Sequence, residues 1–170
     1  MSNDLYNHDW INIDGNYIHK TAIVHPNVKL GKNNHIGAYA VIGSNGEIRG
    51  IKQDEFRGHV EIGNNNVISE FVSIQRPAKN GEVTRIGNDN LIMAHSHIGH
   101  DVFIGNGCEI CTGAIIGGYV SISDGVKIKL GVTVRNRVII GQNSIVGLGS
   151  AVVKHVEPEM VVYGNPARKK

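Results

Sequence analysis

The sequence predicts an all-β chain wound as a three-sided prism of very short parallel strands, and three observations carry that prediction. Aliphatic residues recur at every sixth position, glycine directly follows many of them, and the spacings of three and four that mark an amphipathic helix are missing. Steps of six from Ile86 reach Ile92, Ile98, Ile104, Ile110, Ile116, Ile122, Ile128, Val134, Ile140, Val146 and Val152, twelve β-branched residues in succession. The same phase runs back through Ile74, Ile68 and Ile62, with Asn80 as the interruption, and a second run in another phase holds Ile18, Val24, Leu30, Ile36, Ile42 and Ile48. Of these 21 aliphatic positions, ten precede a glycine, which marks a corner where left-handed backbone angles are cheap.

Two residues before the aliphatic position stand small or β-branched side chains such as Ser96, Val102, Cys108, Ala114, Val120, Val126 and Val132. Residues two apart on a strand share a face, so each hexad supplies two inward side chains and then turns. Such strands bury nothing alone and must stack as coils of a parallel β-helix. An even hexad favours three flat sides, which makes eighteen residues one coil and stacks the coils about 4.8 Å apart. Residues eighteen apart become vertical neighbours.

Met1 to Tyr17 is expected to cap one end, and the coils to occupy residues 18–154. Two stretches break the hexad, near residues 49–60 and 75–85, and are expected to leave the prism as loops, where binding residues concentrate. Residues 155–170 form a short tail ending Arg168-Lys169-Lys170, expected to cover the other end of the core.

Composition narrows the function. The 170 residues carry 17 Lys+Arg against 15 Asp+Glu, a net charge of +2, too balanced for a protein that wraps nucleic acid. Hydrophobic residues at 41% and charged residues at 19% exclude a disordered chain. No apolar stretch approaches the roughly 20 residues of a membrane span, and the polar N-terminus lacks a leader pattern, so a cytoplasmic protein is expected. Cys108 and Cys111 are too few for a disulfide scaffold; the first reads as core, the second as an exposed corner residue.

The sharpest local feature is His95-Ser96-His97-Ile98-Gly99-His100-Asp101. Ser96 and Ile98 point inward, so His97 points out and His100 occupies the corner. An imidazole next to a carboxylate suits a general base with an acid to orient it. One coil on from His100 is Gly118, whose N–H could stabilise an oxyanion, and one coil on from Asp101 is Tyr119. A base beneath an oxyanion donor describes acyl transfer. A zinc site competes: His95 and His100 with a third ligand such as His59 would resemble the γ-class carbonic anhydrases. A non-catalytic assembly module is the third reading. Arg135 and Arg137 project above the His100 corner and could meet a phosphate. Trp10 is expected to cap the hydrophobic end.

These residues also resemble a known family. The hexads are those of the left-handed parallel β-helix, hexapeptide-repeat acyltransferases. Within them, the segment Ile86 to Asp101 is similar to the active-site segment of the bacterial UDP-N-acetylglucosamine O-acyltransferases of lipid A synthesis. The likeness extends through Gln53-Asp54, His59 to Gly63, Val72 to Arg76, and Gly117 to Ser121. The resemblance implies that His100 is the general base, that Gly118 supplies the oxyanion N–H, and that the cleft lies between subunits of a homotrimer. Asp101 would hold His100, while His97, Gln75, Asp54 and Tyr119 would contact the acceptor. Arg135, Arg137 and Arg168 would meet the phosphates of coenzyme A or an acidic acyl carrier protein. The donor would be an acetyl-CoA or acyl carrier protein thioester, with no tightly bound cofactor or metal. The acceptor would be a hydroxyl or amine of a sugar, nucleotide-linked, in lipopolysaccharide or surface polysaccharide synthesis.

There are departures. Gln75, Tyr119 and Arg135 stand where the family has histidines, and Phe56 or Arg57 replaces a lysine of the first loop. The likeness is not expected to extend to the family's C-terminal helical domain, and the ending Tyr163 to Arg168 is similar to hexapeptide acetyltransferases that use acetyl-CoA.

Overall fold

A computed structural model describes residues 9–50 and 58–170. Three sheets form the three sides of a prism. The first face carries His35–Ile36, Val67–Ile68, Leu91–Ile92, Glu109–Ile110, Lys127–Ile128 and Ile145–Val146 at its centre. The second carries Ile23–Val24, Val41–Ser44, Ser73–Gln75, His97–Ile98, Ile115–Ile116, Thr133–Val134 and Ala151–Val152. The third runs from Val28–Leu30 through His59–Ile62, Val83–Ile86, Phe103–Ile104 and Ser121–Ile122 to Ile139–Ile140. Every pairing along these runs is parallel, as the repeat requires.

The expected register holds where the hexad is unbroken: Ile98 pairs with Ile116, Ile116 with Val134, and Val134 with Val152. Below Ile98 the partners are Ile74 and then Ile42, wider steps that measure the two loops. Those loops lie between strands ending at Ser44 and Gln75 and strands beginning at His59 and Val83, and their described residues are 45–50 with 58, and 76–82. Both therefore leave the prism at one edge, the corner from the second face to the third. Ile48, counted above as a hexad position, lies in the first loop and is half-buried there rather than in the core.

The core is a column of the hexad residues, with Ile36, Ile42, Ile74, Ile92, Ile98, Ile104, Ile110, Ile116, Ile122 and Ile128 all sealed from solvent. Burying each such side chain contributes roughly 1.5–3 kcal/mol before chain entropy is charged against it. The small-residue positions Ser96, Val102, Cys108, Ala114, Val120, Val126 and Val132 are buried beside them. Asparagines also occupy that inward position at one corner. Asn34, Asn66 and Asn90 accept the next coil's N–H on Oδ1 (2.8–2.9 Å) and donate from Nδ2 to the carbonyls of Gly63, Gly87 and Gly105.

The ends differ from expectation in detail. Trp10–Ile13 and Asn16–His19 form an antiparallel hairpin on the first face, so Tyr17, paired with His35, belongs to the first coil. Trp10 lies on the outside of that face, edge-on to His19, rather than over the open core. In the tail, Val161–Tyr163 extends the first face and Arg168–Lys169 folds back on it antiparallel. Cys111 is buried, not exposed; burial and the neighbouring Glu109 carboxylate push its thiol up to about 11. Among the described residues no helix is long and apolar enough to cross a membrane.

Candidate active site

The corner that releases both loops is also the corner that holds His100. The chain turns there through Gly99-His100-Asp101, with Asp101 in the left-handed region at φ 58°. The Asp101 N–H donates to Thr84 Oγ1 at 2.9 Å, which ties the turn to a fully buried threonine on the third face. Asp101 Oδ2 accepts two bonds, from His100 Nδ1 at 2.7 Å and from the Ala78 N–H of the second loop at 3.1 Å. A carboxylate can only accept, so Nδ1 carries the imidazole proton and Nε2 is left as the basic nitrogen. Both side chains are largely withdrawn from water, at 13% and 7% exposure.

One coil above, the Gly118 peptide lies against the far end of that ring. A Cβ placed on Gly118 would fall 2.6 Å from both Nε2 and Cε1 of His100. Among the described residues no acceptor meets the Gly118 N–H. Tyr119 follows at φ 61° and packs edge-on to His100 with centroids 5.0 Å apart. Burial, with the Asp101 carboxylate beside it, raises the Tyr119 phenol above its ordinary range. Arg137, another coil up, lays its guanidinium 4.1 Å from the Tyr119 ring centre.

A pocket of about 600 Å³ opens beside His100 and Tyr119. The first loop walls it with Glu47, Ile48, Arg49 and Gly50, and the second with Ala78 and Lys79. A depression of the same volume lies on the third face near Phe103, Ile139 and His155. It offers no imidazole set against a free peptide N–H, so chemistry rather than size selects the first.

The remaining expected residues divide. His97 sits on the adjacent strand, with Nδ1 2.7 Å from Ser73 Oγ. Burial lowers its affinity for a proton, opposed by the Glu47 charge and reinforced by His100. Gln75 is buried at a strand end and does not line the pocket. Arg135 is exposed, in the register position two coils above Gly99. Arg168 lies in the strand that closes the first face, at the far end of the prism, and does not reach the corner within one chain. Asp54, with Gln53, Phe56 and Arg57, lies outside the described residues. The zinc reading loses its geometry: His95 stacks on Phe71 at another edge, and His59 pairs with Glu61 on the third face. Among the described residues no three ligating side chains converge.

Sequence reasoning missed Gly46, Glu47, Arg49, Thr84, Ala78 and Lys79. Their only signal was membership in, or nearness to, the two stretches that break the period.

Fold and repeat together define a left-handed, hexapeptide-repeat parallel β-helix. A family model described as bacterial transferase hexapeptide (six repeats) matches residues 14–44 and 84–118. The chain is 36% identical over 140 residues to the acyl-[acyl-carrier-protein]–UDP-N-acetylglucosamine O-acyltransferase of Nautilia profundicola, across 82% of this chain and 53% of that protein. Among solved structures it is similar to LpxA from Acinetobacter baumannii, with a TM-score of 0.87 and 30% identity, over 92% of this chain and 60% of that one. LpxA of Bacteroides fragilis, a UDP-N-acetylglucosamine acyltransferase, gives the same score and identity over 92% and 61%. The chain thus spans about half the length of the curated relative it matches.

Proposed function

We propose that the protein transfers an acyl group from a thioester to a hydroxyl or amine of a nucleotide-linked sugar, with His100 as the general base. The single observation that carries this reading is the approach of the Gly118 peptide to the Nε2 end of an imidazole whose Nδ1 is bonded to Asp101. Nε2 takes the acceptor's proton as its oxygen or nitrogen attacks the thioester carbonyl. The tetrahedral oxyanion is held by the Gly118 N–H. Collapse breaks the carbon–sulfur bond, and the imidazolium returns its proton to the departing thiolate. Asp101 keeps Nδ1 protonated and stabilises the transient cation. No covalent intermediate is required.

The similar proteins from Nautilia profundicola and Bacteroides fragilis, named for UDP-N-acetylglucosamine, support a nucleotide sugar as acceptor, and the name of the first supports an acyl carrier protein as donor. Acetyl-CoA is the alternative donor. His97 and Tyr119 stand nearest for acceptor contacts, and Arg137 and Arg135 for phosphates. We further propose a homotrimer working in the cytoplasm, its subunits meeting beside this corner, where Ile23 and Ile115 on the second face are about half exposed.

A screen of nucleotide sugars against acetyl-CoA and acyl carrier protein thioesters, read by mass spectrometry, identifies the substrates. With the pair found, His100→Ala is expected to cut kcat at least 100-fold; turnover within a few-fold of wild type refutes the assignment.

A further inference from the structure

We propose that Gly46, in the first loop, is a positioning residue for the His100–Asp101 pair: the missing side chain at 46 is the space in which the imidazole sits. The consequence for turnover rests on the acyl-transfer reading above, whereas the consequence for ring geometry does not.

Three observations carry it. A Cβ on Gly46 would lie 2.9 Å from His100 Cβ, 3.2 Å from Cγ and 3.3 Å from Cδ2. Those atoms are the root of the side chain, not its flexible end: Cβ moves only with the backbone, and Cγ and Cδ2 only with a change of rotamer. Nor does the backbone demand glycine here, since Gly46 is absent from the positive-φ residues that include Gly43 and Gly50. Space, not conformation, accounts for the residue.

The loop cannot retreat to make room. The preceding residue, Asn45, is buried and accepts a 2.6 Å bond on Oδ1 from Nε of Arg76, itself fully buried. The Arg76 N–H donates to Ser44 O at 2.9 Å, and the Gly46 carbonyl accepts from Ile48 N–H at 2.9 Å. At its other end the first loop is pressed onto the second, where a Cβ on Gly58 would meet Pro77, Lys79 and Glu82 within 3.0 Å. The second loop in turn holds Asp101 through the Ala78 N–H. His100 is therefore clasped at its root by Gly46 and at its tip by Gly118, while Asp101 fixes its middle. A methyl group at 46 forces the ring over, and the movement is spent at the 2.7 Å bond between Nδ1 and Asp101 or at the approach to Gly118.

The test is a graded series, Gly46→Ala and Gly46→Val, with Gly81→Asn as a loop-glycine control. Gly81 has nothing within 4 Å of a Cβ, and asparagine tolerates its φ of +83°. Expected is a fall in kcat of at least tenfold for alanine, more for valine, with KM changed less than about threefold and the control unaffected. In ¹⁵N-histidine spectra, the Nδ1-protonated tautomer of His100 gives way to a mixture in Gly46→Ala. A tautomer shift with unchanged kcat upholds the positioning and sinks His100 as the base. Unchanged spectra sink the positioning, whatever the rate does. A double-mutant cycle adds a readout free of activity: Gly46→Ala lowers the melting temperature in the wild-type background and does so much less beside His100→Gly, which removes the Cβ as well as the ring. Equal losses in both backgrounds overturn the proposal.

Discussion

Asp101→Asn isolates charge from geometry at the proposed base. Asp101 sits at φ 58°, and asparagine is among the few residues that accept this region without the roughly 1–2 kcal/mol paid by others. The two donors to the carboxylate, His100 Nδ1 and Ala78 N, both meet the same oxygen, Oδ2. An asparagine can place its single carbonyl oxygen there and satisfy both. What changes is the charge facing an imidazolium in the transition state. A hydrogen bond to a charged group contributes about 1.5–3 kcal/mol and a neutral one about 0.5–1.5, so the loss is about 1–2 kcal/mol. That corresponds to a kcat lower by roughly 5- to 30-fold, with little change in KM. The assay follows thiol release from the donor with Ellman's reagent; both protein thiols are buried and held above their ordinary pKa by desolvation, which keeps the background low. Asp101→Ala, which also strains the turn and leaves two donors unmet, should fall further and melt earlier. Equal kcat for Asp101→Asn and wild type would refute the view that this carboxylate acts through its charge.

Two other perturbations probe the scaffold. Asn66→Ala removes three hydrogen bonds from the buried ladder, stranding the Asn90 N–H and the Gly87 carbonyl. A loss of about 2–4 kcal/mol is expected in chemical denaturation, and a loss under 1 kcal/mol contradicts the ladder's role. Glu61 on the third face is lowered to about 2 by the bond from His59 and then by Arg85. A depressed carboxylate stabilises fully above its unfolded value of 4.5, and the stabilisation is lost as pH falls from there through about 2. Because the pair stands in solvent, Glu61→Gln should cost under about 1 kcal/mol at neutral pH. The gap in melting temperature between the two proteins should close by about pH 2, and a gap that widens on acidification would contradict the pairing.

The column was legible because its positions are repetitive and its chemistry uniform. Period six places one β-branched residue inward per strand, and every such residue from Ile86 to Val152 is buried. The His100–Gly118 juxtaposition was legible for the same reason, since an eighteen-residue step is arithmetic once the coil is known. Ile48 shows the limit: it continues the spacing by coincidence, where the chain has already left the prism. The Asn34–Asn66–Asn90 ladder was hidden because asparagine reads as a corner residue, and only a neighbour above and below makes it a satisfied inward one. Gly46, Ala78 and Lys79 were illegible because loops carry no period, and their positions follow from how one loop packs on the other.

The three corners differ in how they meet the left-handed backbone that each turn needs. From the third face to the first, Asn33, Asn65, Asp89, Gly107, Gly125 and Asn143 fill the position, residue types that accept it at small cost. From the first to the second, Tyr39, Phe71 and His95 give way to Gly113 and Gly131 as the coils rise. At the corner of the candidate site, three successive coils place Asp101, Tyr119 and Arg137 there, never glycine. Tyrosine and arginine in this region cost on the order of 1–3 kcal/mol each, a strain that persists only where surrounding contacts hold it. Those contacts form a chain: Arg137 over Tyr119, Tyr119 edge-on to His100, His100 bonded to Asp101. The turn at Tyr119 brings its ring to the pocket wall, with the exposed Arg137 laid over it from the coil above. Glycine at 119 would relax the corner and remove that part of the wall with it.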